Sequence, residues 1–212
     1  MKKAYIVGPG NLNSDLIAYA LRTENGIHCE SIENIKDLPM EVEENQDVKK
    51  LLLIDFSGNH YERVLADIEN NLVVSDLRYL IALFNLEQGL EIEHDALRRG
   101  IQGFFYKQDS LELFLKGVET LFTGEIWLSR NILVNLVLNS TIVNVPAGQE
   151  KASLTNRETE ILALASTGAR NDEIAEKLFV SPHTVKTHLY NVFKKINVHN
   201  RFQAALWAAK NL

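Results

Sequence analysis

The chain has 212 residues, a formal net charge of −6 and one cysteine, Cys29. That length suits one large or two small domains, and a lone cysteine excludes an internal disulfide. The six histidines are scattered without the helical spacing of a metal site, and no apolar run approaches the roughly 18 residues of a membrane span. Charge is unevenly spread: residues 1–150 carry 13 Lys and Arg against 23 Asp and Glu, whereas residues 151–212 carry 9 against 5. An acidic body followed by a basic tail predicts that only the tail meets a polyanion.

The first ten residues, MKKAYIVGPG, hold an apolar run too short for a signal peptide, and Ala4–Val7 reads as a first buried strand. A soluble, cytoplasmic protein is expected. Further strands are predicted near His28–Ile32 and at Leu51–Phe56, Tyr79–Phe84 and Gly103–Tyr106, the last three as apolar runs suited to burial on both faces. Helical periods fall between them at Asp15–Arg22, Tyr61–Leu72, Glu91–Arg99 and Ser110–Phe122, with Gly100 placed as a left-handed cap. This alternation predicts a doubly wound α/β domain with a five-stranded parallel sheet. Gly8-Pro9-Gly10 lacks the ending of a phosphate loop and reads as a tight strand-to-helix connection. Asn131–Val143 is apolar and predicts a helix leading away, and Asn144–Ser153 has the Pro, Gly and small polar residues of a linker. The predicted divisions are residues 1–125, 126–153 and 154–212.

From Leu154 onward the pattern is helical. Thr155 and Glu158 form a capping box ahead of a helix over Arg157–Thr167 that stops at Gly168, and a short helix follows at Asp172–Leu178. Ser181 then caps a third helix with Pro182 at its first position, where the missing N–H costs nothing. That helix, His183 to about Ile196, buries Val185, Leu189, Val192 and Phe193 and presents Lys186, Thr187, Tyr190 and Lys194. Two helices joined by a tight turn, the second polar and basic on one side, predict an all-α helix-turn-helix domain.

Leu154-Thr155, Arg157-Glu158, Glu173-Ile174-Ala175, Ser181, Thr184 through His188, Lys195 and Asn200-Arg201 together resemble the LuxR/FixJ-type DNA-binding domain. The resemblance implies that Lys186, Thr187 and Tyr190 face base edges. It implies that Thr184, Lys194 and the backbone near Ser181 and Asn171 hold phosphates, and that the fourth helix, Arg201–Lys210, makes a dimer contact. Lysine donating to guanine and a threonine methyl against thymine fit that assignment chemically.

Ahead of such a module, the α/β domain resembles a response-regulator receiver. Asp55 stands where a receiver carries its phospho-acceptor and Lys107 where the phosphate-binding lysine belongs. The acidic pair expected after the first strand is replaced by Gly8-Pro9-Gly10-Asn11, and Leu83-Phe84-Asn85 occupies the place where a hydroxyl is expected. Phosphoryl transfer needs a metal held by carboxylates, so no metal is expected and Asp55 with Lys107 is read as a retained structural ion pair. Phosphorylation of Asp55 remains the alternative control.

The segment GEIWLSRNIL, Gly124 to Leu133, contains Trp127-Leu128-Ser129-Arg130. It is similar to a W-[FLM]-[TS]-R pattern of the CsgD/VpsT-like branch, in which a degenerate receiver precedes a LuxR-type tail. That likeness implies cyclic di-GMP as a ligand bound at a receiver dimer interface. An arginine fork can pair with phosphate or stack on guanine, a tryptophan offers a wall and a serine a hydroxyl. The competing reading is that Trp127 packs beneath the last receiver helix and Arg130 is solvated. With no nucleophile–base pair in view, the chain is expected to be a non-enzymatic transcription regulator. Its expected partners are double-stranded promoter DNA, a second copy, cyclic di-GMP and the transcription machinery, with no membrane. Biofilm-matrix genes are its expected targets, and a ligand-independent dimer is a further alternative.

Overall fold

The structure, a computed structural model, describes residues 2–39, 49–58, 61–71, 79–129, 132, 154–198 and 200–212. The chain forms two compact units, Met1–Val134 and Asn135–Leu212. The apolar segment 131–143 and the linker 144–153, apart from Ile132, lie outside the described residues, as does Arg130.

In the first unit five strands, β1 (Lys3–Val7), β2 (His28–Ile32), β3 (Lys50–Asp55), β4 (Tyr79–Leu86) and β5 (Ile101–Tyr106), form a parallel sheet in the order β2-β1-β3-β4-β5. The helices are α1 (Leu12–Asn25), α2 (Tyr61–Asn71), α3 (Glu93–Arg98) and α4 (Leu111–Phe122). The expected doubly wound architecture is therefore present. Because β1 and β3 are neighbours and lead outward in opposite directions, right-handed crossovers put α1 on one face and α2 and α3 on the other. The alternation of a strand explains the two cores. Ala4, Ile6, Leu51 and Leu53 pack with α1 and α4, while Tyr5, Leu52, Ile54 and Leu83 are equally buried on the opposite face.

The ends of the helices follow local chemistry. Asn11 caps α1, its side chain accepting from Ser14 N–H, so α1 starts three residues before the periodicity indicated. Ser110 caps α4 in the same way, and Gly100 has φ +89° just beyond α3. β5 begins at Ile101, two residues earlier than read, since Gln102 is polar but buried in the sheet. Among the described residues no helix is long and apolar enough to cross a membrane.

The second unit has four described helices: α5 (Asn156–Ser166), α6 (Asn171–Leu178), α7 (Pro182–Lys195) and α8 (Arg201–Asn211). Ile161, Ala165, Ile174, Ala175, Val185 and Leu189 form one apolar cluster, which fixes α7 against α5 and α6. Leu162, Val192, Ile196, Val198, Ala204 and Ala208 form a second, which holds α8.

Candidate functional site

The α7 helix carries the expected nucleic-acid face. Its first turn is closed by Ser181, whose Oγ accepts from Thr184 N–H at 3.0 Å and also lies 2.9 Å from Thr184 Oγ1. Pro182 occupies the first turn as predicted. Val185, Leu189 and Val192 are buried, so steps of three and four residues set Lys186, Thr187, Tyr190 and Lys194 along the side turned from the core. Lys186 and Tyr190 are half-buried and Thr187 and Lys194 exposed. Thr187 Oγ1 donates to His183 O at 3.1 Å, so its hydroxyl is engaged within the helix while the residue stays exposed. Lys194 Nζ lies 4.4 Å from the centroid of the Tyr190 ring, so these two side chains form one cation–π unit rather than two separate contacts.

The other residues that carried the resemblance hold this face in place. Lys195 Nζ donates to Glu158 Oε2 at 2.7 Å, joining the end of α7 to the capping box of α5. Burial alone would raise the Glu158 carboxyl, but hydrogen bonds from Lys195 and Thr155 outweigh it and hold the group below its usual range. Arg157 donates to Leu178 O at 2.7 Å. Arg201 donates to Ala165 O, to Ala169 O and to Asn171 Oδ1, clamping the loop between α5 and α6. The Asn171 side chain is thus a structural acceptor, and the phosphate reading of this position rests on its backbone. The internal clamp by Arg201 was not foreseen; the signal for it is an arginine at the first position of a helix, where a cation opposes the helix dipole and needs another reason to be present.

In the first unit, Trp127 forms a parallel bridge with Gly103 on the outer edge of β5. Trp127 N–H donates to Gln102 O at 2.8 Å, and Phe104 N–H donates to Trp127 O at 3.0 Å. Its ring stacks on Phe105 with centroids 6.4 Å apart and planes inclined by 24°. Gly117 of α4 makes this possible: a Cβ there would lie 2.4 Å from Phe105 Cε1 and 2.7 Å from Trp127 Nε1. The packing role weighed for Trp127 is therefore present. Leu128 and Ser129 are half-buried beside it. Ser129 hydrogen-bonds to the Tyr106 hydroxyl, which itself donates to Glu93 Oε1 at 2.7 Å. Burial, then the Glu93 hydrogen bond, push the Tyr106 hydroxyl well above the usual phenol range, so it remains a donor. This chain from the motif to α3 had no sequence signal, because Tyr106 and Glu93 carry no spacing relation.

Asp55 and Lys107 do not form the expected ion pair. Lys107 Nζ bonds Glu87 Oε1 at 2.7 Å, whereas Asp55 Oδ1 accepts from Ser57 N–H and from Asn85 Nδ2, each at 2.9 Å. The reason lies in β4. Its pairing with β5 shifts register between Leu83 and Leu86, and Asn85 takes φ +61°, which turns its amide toward Asp55. Asparagine tolerates that backbone region better than most residues. From β1, Gly8 approaches so closely that a Cβ would meet Asp55 Cβ at 2.7 Å. Among the described residues, no group of three or more His, Cys, Asp or Glu is gathered as a metal site.

Residues 152–208 match the family model described as bacterial regulatory proteins, luxR family. The chain is 45% identical over 112 residues to a probable csgAB operon transcriptional regulatory protein of Salmonella typhimurium, covering 53% of this chain and 51% of that protein. It is 44% identical over 112 residues to the CsgBAC operon transcriptional regulatory protein of Escherichia coli, with the same coverage. The chain thus spans about half the length of the curated relatives it matches. The first unit has the fold of the regulatory domain of the master biofilm regulator CsgD, at TM-score 0.51 and 16% identity over 64% of this chain and 98% of that one. The chain therefore carries a LuxR-family helix-turn-helix domain at residues 152–208, after an α/β domain of receiver-like fold.

Proposed function

We propose that this chain is a DNA-binding transcription regulator whose α7 enters the major groove, and that cyclic di-GMP controls it by promoting a dimer. The observation that carries the first part is the outward stripe of Lys186, Thr187, Tyr190 and Lys194, held rigidly by Glu158–Lys195 and Arg201 within a matched LuxR-family domain. Lys186, Thr187 and Tyr190 read bases in this proposal. Thr184, Lys194 and the backbone at Ser181 and Asn171 hold phosphates. The names of the relatives extend the reading to genes of a csg-type operon, and the resemblance of the Trp127–Arg130 segment extends it to biofilm-matrix genes.

Support for the ligand is the sequence Trp127-Leu128-Ser129-Arg130 and its place after a domain whose Asp55 is engaged by Asn85 rather than by Lys107. Trp127 spends one face on Phe105, so Arg130 and Ser129 carry most of the recognition in this reading. A bidentate guanidinium suits a cyclic dinucleotide because it meets both phosphate and guanine with a planar fork. Calorimetric titration of the full chain with cyclic di-GMP, followed by duplex binding with and without it, tests both parts. Saturable binding that tightens the promoter complex is expected, and Arg130→Ala should weaken it at least about tenfold, one charge-assisted bond being worth ~1.5–3 kcal/mol. No heat of binding, or full affinity in Arg130→Ala, refutes the ligand. A salt-independent or absent duplex complex refutes the DNA face.

A further inference from the structure

Phe179, in the turn between α6 and α7, is 96% exposed and holds φ +54°. That backbone region favours glycine, and a bulky side chain in it is uncommon. The chain is pinned on both sides of the ring. Leu178 and Val180 pack against the apolar cluster of α5, α6 and α7, and Val180 N–H donates to Ala175 O at 3.0 Å. Phe179 itself belongs to neither apolar cluster of the unit, and among the described residues its ring has no aromatic or cationic partner. Pro182, three residues on, is exposed as well. The turn therefore presents a rigidly held apolar knob, where glycine would suit the backbone better and expose no ring.

The charges beside the ring say what covers it. Asp172 and Glu176 of α6 are exposed, and a spacing of four residues puts them on one side of the helix. Among the described residues neither forms a salt bridge. Glu173, by contrast, accepts from Arg170 N–H at 2.7 Å and from Arg170 Nε at 3.4 Å, and the Lys177 charge acts on that same carboxylate. Phe179 N–H donates to Glu176 O, so the ring follows directly on the second open carboxylate. The α7 helix, only three residues further on, has no acidic residue at all. One small domain thus carries two surfaces of opposite sign. DNA phosphates are repelled by the Asp172 and Glu176 pair, as is an anionic lipid surface. An aromatic anchor with an acidic rim suits a protein that offers an apolar pocket edged by lysine or arginine. Because the turn leads straight into the helix assigned to the major groove, a protein held there stands on the same promoter.

We infer that Phe179, with Asp172 and Glu176 at its rim, docks into a cation-edged apolar pocket on RNA polymerase. The inference rests on the reading of the chain as a transcription regulator and names the surface through which it acts. Biolayer interferometry with immobilised, purified bacterial RNA polymerase holoenzyme and the full chain in solution, without DNA or nucleotide, tests it. Wild-type protein should bind saturably, and more weakly as salt rises. Phe179→Gly should weaken that binding about tenfold or more, as expected for loss of an aromatic anchor. Its melting temperature should be at least that of the parent, since glycine suits the backbone here, and its duplex affinity by fluorescence anisotropy should be unchanged. Glu176→Lys should also weaken the polymerase complex, by a factor that shrinks at high salt. A wild-type chain that does not bind polymerase overturns the inference, as does full binding by Phe179→Gly. Three further results for Phe179→Gly overturn it by giving the ring another partner: a loss of duplex affinity points to DNA, a loss of self-association in sedimentation velocity to a second copy, and a lower melting temperature to packing within the chain. Failure of wild-type protein to bind duplex or cyclic di-GMP leaves the polymerase complex in place, so the readings fail separately.

Discussion

Replacing Trp127 by alanine tests whether the motif segment is a structural part of the sheet. Truncating a fully buried tryptophan costs about 3–5 kcal/mol, including the cavity it leaves. Trp127 is half-buried, with its ring on Phe105 and over Gly117, so about 2–3 kcal/mol is expected. The backbone bonds to Gln102 and Phe104 survive in principle, but the ring that anchors them is gone. For a domain of this size that loss corresponds to a fall in melting temperature of roughly 6–15 °C. Trp127→Phe should lose less than half as much, because an aromatic face remains. Gly117→Ala attacks the same contact from α4: its Cβ collides with both rings, and overpacking of this kind costs about 1–3 kcal/mol. In a Trp207→Phe background, Gly117→Ala should also shift Trp127 emission to the red as the indole is pushed outward. Differential scanning calorimetry and fluorescence measure both effects. A Trp127→Ala protein that melts within about 2 °C of the parent would refute the packing argument. The consequence for the ligand is direct: a binding loss in Trp127→Ala mixes folding with recognition, and Arg130→Ala is the cleaner probe.

Lys186→Ala should reduce discrimination between the preferred duplex and an unrelated one by about 1–3 kcal/mol, whereas Lys194→Ala should weaken all duplexes alike and lower the salt slope by about one unit. Fluorescence anisotropy across a salt series separates them, and equal changes in sequence preference would refute the division. Because Lys194 sits over Tyr190, Tyr190→Ala combined with Lys194→Ala should be less than additive by about 0.5–1 kcal/mol in a double-mutant cycle. Asp55→Asn should leave nucleotide-dependent DNA binding nearly intact, while Asn85→Ala should lower the melting temperature of the first unit, since it removes a donor from a buried carboxylate. Phosphoryl incorporation at Asp55 with loss of regulation in Asp55→Asn would reverse that conclusion. Glu158 has a folded-state pKa below its unfolded value, so its stabilisation is present above about pH 4.3 and is lost as pH falls through the lower folded value. Glu158→Gln should therefore flatten the acid limb of the stability curve of the second unit, and an unchanged limb in urea titrations would show that the Lys195 bond contributes nothing.

The second unit was legible almost residue by residue because its determinants are local. Thr155 with Glu158, Ser181 with Thr184 and Pro182, and Gly168 act within four positions of themselves, where capping geometry is set by the backbone alone. The same holds for β1, β3, β4 and β5, whose apolar runs announce burial on both faces before any partner is known, whereas β2, a polar edge strand, gives a weaker signal. What tertiary structure decided are contacts between residues far apart in the chain. Lys107 goes to Glu87 and Asn85 to Asp55 because a register shift in β4 redirects a side chain, and no periodicity encodes such a shift. Trp127 becomes part of the β5 edge because Gly117 leaves room for it, and Ser129 is tied through Tyr106 to Glu93 by a fold that brings three separate segments together. Packing decides α1 as well: its mixed pattern of small and large apolar residues gives no single stripe, and only the structure reveals that Ser14, Ala18, Ala20 and Leu21 face the core while Leu12, Leu16 and Tyr19 face water.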